Sequence, residues 1–176
     1  TRKCLETERV SLLPERTASF GWIWYEVSEA VMDKISDTEH SQGIAVIVRK
    51  DMISASFPSG RLTGRFVLLD QIQDPGNLGT IIRTAAASAC RGVLLTEGCA
   101  DAFGEKTVRS SMGSIFRIPI YENLTEENLE QIRKDSGLPL IGTSLDGGVS
   151  YREAGRLENG IFVFGNEGSG IRREIL

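Results

Sequence analysis

Three residues stand out by type and spacing. Asn77 and Arg83 follow an Asp-Pro-Gly turn, and Glu167 sits in Gly165-Asn166-Glu167-Gly168-Ser169-Gly170. An amide, a guanidinium and a carboxylate suit recognition of hydroxyl and phosphate oxygens, with Arg83 as a phosphate clamp or an electrostatic stabiliser of developing negative charge. A solvated surface arginine fits Arg83 as well. Glu167 has two expected roles: orienting Arg83 or a substrate hydroxyl, or simply accepting from nearby backbone N–H groups. Lys106, Arg109 and a hydroxyl cluster ending in Ser110-Ser111 form an arrangement able to hold phosphates and ribose hydroxyls, although a solvated helix end has the same composition.

Three polar loops each follow an apolar run: Asp74-Pro75-Gly76-Asn77-Leu78-Gly79, Thr143-Ser144-Leu145-Asp146-Gly147-Gly148, and Gly165 to Gly170. In a parallel sheet, loops that leave the carboxyl ends of strands gather at one edge, so all three are expected to converge on one ligand. The glycines permit close backbone approach, and turn formation alone also explains them. No GxxxxGK[ST] occurs, and Gly165, Gly168 and Gly170 follow GxxGxG rather than GxGxxG, which argues against the usual nucleotide cradles. His40 is the sole histidine and no cysteine cluster accompanies it, so a transition-metal centre or a His-based nucleophile relay is not expected. Cys4, Cys90 and Cys99 are odd in number and unpaired by spacing, which suits a reducing compartment.

The elements that must position these groups alternate from Arg65 onward. Strands are expected at Phe66–Leu69, Gly92–Leu95, Phe116–Ile120, Pro139–Gly142 and Ile161–Phe164, and helices at Asn77–Ala89, Glu105–Met112 and Thr125–Asp135, with Thr125 as the cap. This order predicts an α/β fold: a mostly parallel sheet with helices on both faces. Along Asn77–Ala89 the apolar face is Leu78, Ile81, Ile82 and Ala85, which leaves Arg83 off the core side. Before it, a helix over Ser28–Ile35, a buried strand over Gly43–Val48 and a linker over 51–64 are expected. Trp22, Trp24 and Tyr25 suit base stacking, but packing in a core or interface is the commoner use of such residues.

The chain of 176 residues is long enough for one real core and an appendage. No apolar run approaches the roughly 18 to 20 residues of a membrane helix, and no apolar leader follows a basic start, so a soluble cytosolic protein without a membrane partner is expected. Net charge is −4, and residues 65–121 carry 6 basic against 5 acidic side chains while 122–176 carry 6 against 10. An RNA partner therefore depends on a local patch.

Three segments together resemble the SpoU or TrmH branch of the SPOUT RNA methyltransferases: LLDQIQDPGNLGTIIRTA at 68–85, KTVRSSMGSIFRIPIY at 106–121 and IFVFGNEGSGI at 161–171. The resemblance covers 64–176, and SDTEHSQGIAVIV at 36–48 resembles the end of the small ribosomal-protein-L30-like recognition domain that often precedes it. It implies a SPOUT-like trefoil-knot domain over 65–176 behind a partial recognition domain over 1–50. It implies S-adenosyl-L-methionine as cofactor, rRNA or tRNA as substrate, methylation of a ribose 2′-hydroxyl, and a homodimer. It implies that Arg83 accepts the hydroxyl proton while Asn77 and Glu167 shape the site. The cofactor would rest on Thr143, Ser144, Leu145, Gly165, Asn166 and Gly168, and RNA on Lys106, Arg109 and Ser111. A guanidinium at its ordinary pKa is a poor base, so the proton-accepting role is inherited from the family alone.

The sequence departs from the family at Ile175 and Leu176, beyond which the third motif, with its knot-threading segment, is expected. These 176 residues alone are therefore expected to bind cofactor weakly or not at all. Two alternatives follow from the same residues: a non-catalytic RNA-binding or ribosome-assembly protein of this fold, and a base methyltransferase.

Overall fold

The structure is a computed structural model that describes residues 1, 4, 6–36, 38, 41–57, 62–143 and 148–175. The chain divides into two compact units, Thr1–Val48 and Arg49–Leu176. The first holds helices α1 (Glu8–Ser11), α2 (Leu13–Ala18) and α3 (Glu29–Ile35), the last capped by the Ser28 side chain, which accepts from the Val31 N–H. Its Gly43–Val48 segment is not the expected buried strand: it pairs with no described strand, and Ile47 is 96% exposed. An apolar run makes a strand only where neighbours supply its ladder. Trp22 and Tyr25 are likewise exposed rather than core, while Trp24 Nε1 donates to Thr17 Oγ1 at 2.9 Å.

The second unit is built on a parallel five-stranded sheet in the order β3-β2-β1-β5-β4. The strands are β1 (Arg65–Asp70), β2 (Gly92–Thr96), β3 (Ile120–Leu124), β4 (Leu140–Gly142) and β5 (Gly160–Gly165). Between them run α4 (Pro75–Ala87), α5 (Glu105–Ser110) and α6 (Glu126–Ser136). Alternation along β1 divides the core: Val67 and Leu69 pack under α4 with Leu78 and Ile82, whereas Phe66 and Leu68 pack with Leu129 and Ile132 of α6. Each such fully buried side chain contributes about 1.5–3 kcal/mol, and this burial on both faces seats the central strand. Α6 starts where the sequence places it, with a reciprocal Thr125–Asn128 capping box.

Two boundaries differ from expectation. The segment predicted as a strand over Phe116–Ile120 is a 3-10 turn at Ser114–Phe116 followed by β3, which begins at Ile120. Ile115 and Ile118, three apart, both enter the core, a spacing that suits a 3-10 turn and not a strand. The described residues of the expected linker over 51–64 belong to the second unit: Ala55 N–H donates to the Ile120 carbonyl at 3.2 Å. Just before it, Lys50 pairs with Glu122 at 2.9 Å.

Candidate active site at the β1–β5 switch point

Chain order moves outward from β1 through β2 to β3, then returns on the other side of β1 as β4 and β5. The switch point of the sheet is therefore the crevice between the ends of β1 and β5, the place where open α/β sheets bind ligands. Two of the three polar loops leave the sheet there. The β1 loop ends in Asp74, whose carboxylate caps α4 by accepting from the Asn77 N–H at 2.7 Å; Pro75 follows as the first helical residue, where its missing N–H costs nothing. The β5 loop closes on itself through paired backbone hydrogen bonds between Asn166 and Gly170 at 3.0 and 2.9 Å. This closure explains Gly165 and Gly170. A Cβ on Gly165 would overlap the Gly170 backbone, and Gly170 sits at φ +74°.

The two loops meet through Asn77 and Glu167. Asn77 Nδ2 donates to Glu167 Oε1 at 2.8 Å, and this hydrogen bond is the main reason that the Glu167 carboxyl is held below its ordinary pKa. Asp74 is lowered too, first by the Asn77 backbone N–H and then by Lys106, whose Nζ lies 3.2 Å from Asp74 Oδ2. Helix α5 carries Lys106 to this point because Gly79 lets it pack tightly on α4. A Cβ at Gly79 would stand 2.5 Å from the Thr107 carbonyl oxygen and overlap the Ser110 hydroxyl. Ser110 Oγ also donates to the Pro75 carbonyl at 3.2 Å.

Other expected site residues separate from this group. Arg83 is exposed, and among the described residues no hydrogen bond or ion pair holds it. Helical geometry places it about 9 Å along α4 from Asn77 and about 120° around the axis, so Glu167 orients Asn77 and not Arg83. Thr80 and Thr84 beside it return their hydroxyls to backbone carbonyls of their own helix, Gly76 and Thr80. Arg109 is exposed on α5, one turn from Lys106. Ser111 does not reach a ligand: it is fully buried and its hydroxyl donates to the Val108 carbonyl at 2.8 Å, because the chain turns inward after α5. Thr143 lies beyond the end of β4, with Oγ1 3.4 Å from the Val163 carbonyl, while Ser144 and Leu145 lie outside the described residues. Asn166 contributes structure with its side chain: Oδ1 accepts from the Gly168 and Ser169 N–H groups at 2.9 and 3.1 Å, and Nδ2 donates to the Gln71 carbonyl at 2.9 Å.

Two residues go unremarked in the sequence, Asp70 and Arg172. Asp70 ends β1 as a fully buried carboxylate, and Arg172 reaches it from beyond the β5 loop with Nε at 2.9 Å and its own N–H at 2.8 Å. An acidic residue closing the apolar run Phe66–Leu69 of the central strand signals a needed partner, since buried charges are paired.

The comparisons with known proteins fall on this architecture. Residues 64–176 match the model of the SpoU rRNA Methylase family. The chain belongs to that family. Among relatives, the 23S rRNA (guanosine(2553)-2′-O)-methyltransferase RlmP of Bacillus subtilis is 38% identical over 154 residues, which is 86% of this chain and 59% of RlmP. An uncharacterised tRNA/rRNA methyltransferase of Synechocystis is 32% identical over 169 residues, 96% of this chain and 61% of its own. The solved structure of an AdoMet-bound rRNA methyltransferase from Sinorhizobium meliloti superposes with a TM-score of 0.75 at 31% identity, over 95% of this chain and 64% of that one. The chain thus spans about three-fifths of the length of these SpoU-family relatives. Asn77, Arg83, Lys106 and Glu167 all fall inside the family-matched stretch.

Proposed function

We propose that this protein is an S-adenosyl-L-methionine-dependent RNA methyltransferase that acts on a ribose 2′-hydroxyl of rRNA or tRNA. The observation that carries the proposal is the Asn77–Glu167 hydrogen bond at the β1–β5 switch point, within the SpoU-family stretch. The reading is supported by RlmP, named as a 2′-O-methyltransferase of 23S rRNA, and by the Sinorhizobium protein, described as AdoMet-bound.

The residues at the strand ends suit the cofactor. Backbone groups run on past the last ladder pairs, Gly142–Val163 and Asp70–Gly165, and beside them stand the Thr143 hydroxyl and the partly exposed ring of Phe164. Neutral polar groups beside an apolar ring suit an adenosine, with Gly165, Asn166 and Gly168 on one side and Thr143 on the other. S-adenosyl-L-methionine supplies, when bound, an electrophilic methyl group on a sulfonium. The chain's own work is placement and charge. Asn77, held by Glu167, offers its amide to a substrate oxygen, and Lys106 and Arg109 meet RNA phosphates. Arg83 steadies the negative charge that develops on the ribose 2′-oxygen as its proton passes to solvent. Holding nucleophile and electrophile in line supplies much of the acceleration in such a transfer.

The homodimer belongs to the same proposal. Met112 and Phe116, both exposed and close in sequence after α5, offer an apolar surface for a second copy, which sedimentation velocity tests. Among the described residues no helix is long and apolar enough to cross a membrane, and a cytoplasmic location is part of the proposal. The deciding experiment incubates the protein with labelled S-adenosyl-L-methionine and total rRNA or tRNA from cells lacking the gene, then digests the product to nucleosides. Label in a 2′-O-methylnucleoside is expected. Label in a base, or RNA binding without label, overturns the proposal.

A further inference from the structure

We propose that Asp70 and Arg172 are positioning residues that act through Glu167, a role that rests on the methyltransferase reading above. The turn that carries Glu167 is fixed at both ends to two consecutive residues, the last of β1 and the one that follows it. On its upstream side, Asn166 Nδ2 donates to the Gln71 carbonyl at 2.9 Å. Gln71 itself is a non-glycine residue at φ +54°, kept there in part by its N–H donating to Thr96 Oγ1 at 3.1 Å. On the downstream side, Arg172 grips Asp70 with Nε and Nη2, each 2.9 Å from Oδ1, and with its backbone N–H, 2.8 Å from Oδ2. Thr96 Oγ1 adds a donor to Asp70 Oδ1 at 3.2 Å, so one threonine serves both Asp70 and Gln71.

Between these anchors the only side chain reaching α4 with a described hydrogen bond is Glu167, to Asn77. An exposed carboxylate–amide contact orders a flexible loop poorly by itself, because it is weak and must compete with water. A buried, forked ion pair can, because Arg172 cannot leave Asp70 without stranding a desolvated charge. Rigidity at Asp70 is thus transmitted along a short turn to the atom that orients Asn77. Nη1 of Arg172 also lies 3.4 Å from Glu126 Oε1, on the more exposed side, so the fork has a second contact outside the core.

Arg172→Lys keeps the charge but loses the fork, and tests the idea in the intact protein. With labelled S-adenosyl-L-methionine and total rRNA, kcat is expected to fall about tenfold with the RNA KM within about twofold, the signature of misplacement by a fraction of an ångström. In a Glu167→Ala background, which removes the acceptor for Asn77 Nδ2, the same substitution is expected to cost less than about twofold, since a residue acting through Glu167 has nothing left to position. The Asn166 and Gly170 amides, which pair across the turn, are expected to exchange with deuterium about tenfold faster in Arg172→Lys. Unchanged kcat, or equal losses in both backgrounds, overturns the inference. If the unsubstituted protein transfers no methyl group, the functional reading fails alone; unchanged exchange at Asn166 and Gly170 then overturns the clamp, and faster exchange upholds it.

Discussion

Asn77 Nδ2 lies 2.8 Å from Glu167 Oε1, and this contact joins loops 90 residues apart in the chain. Both side chains are at the surface, so the contact has little weight in holding the fold. Asn77→Ala and Glu167→Ala are each expected to leave the melting temperature within a few degrees and to lower single-turnover methyl transfer by about 100-fold, the cost of a misplaced reacting group. Paired thermal melts and labelled-cofactor assays check this.

The same pair makes a statement about pH. Glu167 and Asp74 are both held below their ordinary values, Glu167 chiefly by the Asn77 amide and Asp74 by the Asn77 N–H. A lowered folded-state value means that the contact is fully present above the unfolded value, about 4.3 for Glu and 3.9 for Asp, and is lost as pH falls through the folded one. From about pH 6 to 9 both groups stay ionised, so rate profiles of the unsubstituted protein and Glu167→Gln are expected to run parallel. An inflection in that window that disappears with Glu167→Gln contradicts the assignment.

Arg83 stands apart from the Asn77 cluster and, among the described residues, without a partner, which makes its removal a clean test of function. Arg83→Ala is expected to leave fold and RNA affinity largely intact and to lower methyl transfer by at least about 10²–10³-fold, the range for loss of a group that stabilises developing charge. Filter binding alongside methyl incorporation separates the two effects.

Lys106 and Arg109 are exposed on α5, and each is expected to neutralise about one phosphate. Replacing either with Ala should reduce the slope of log affinity against log salt by roughly 0.7 to 1. Ser111→Ala is expected to leave the slope unchanged, because that hydroxyl is buried on Val108. Fluorescence anisotropy across a salt series reads all three.

Gly79 is where α4 and α5 come closest. Gly79→Ala inserts a Cβ against the Thr107 carbonyl and the Ser110 hydroxyl, and overpacking of this kind costs about 1–3 kcal/mol. Adding Ser110→Ala relieves the side-chain overlap but not the carbonyl, so only part of the melting temperature should return. Recovery of the whole would show that the helices can part.

The architecture of the second unit is legible in its sequence because each central strand is a short apolar run closed by a turn, and α4 and α6 carry caps and a one-sided apolar face. Asn77, Glu167 and Lys106 are legible as candidate site residues since loops at strand ends converge wherever the sheet is parallel. What escapes is long-range or collective. Arg172 is one of 20 basic residues, and nothing in its neighbourhood announces a partner on β1. Ser111 is of the same type as the half-buried Ser110 and Ser114, and its full burial follows only from the inward turn after α5. The segment 43–48 has strand composition, but a strand is completed by its neighbours and none of the described ones pairs with it.

The pairing of β1 with β5 has a consequence in time. Gln71 and Asn166, which flank the site, stand 95 residues apart, so the crevice cannot exist until nearly the whole unit has left the ribosome. During synthesis β1 has β2 on one side and an open, apolar flank on the other. Such non-local closure is slow and leaves a sticky edge waiting, so this domain is expected to reach its active form late and to lean on chaperones while it does.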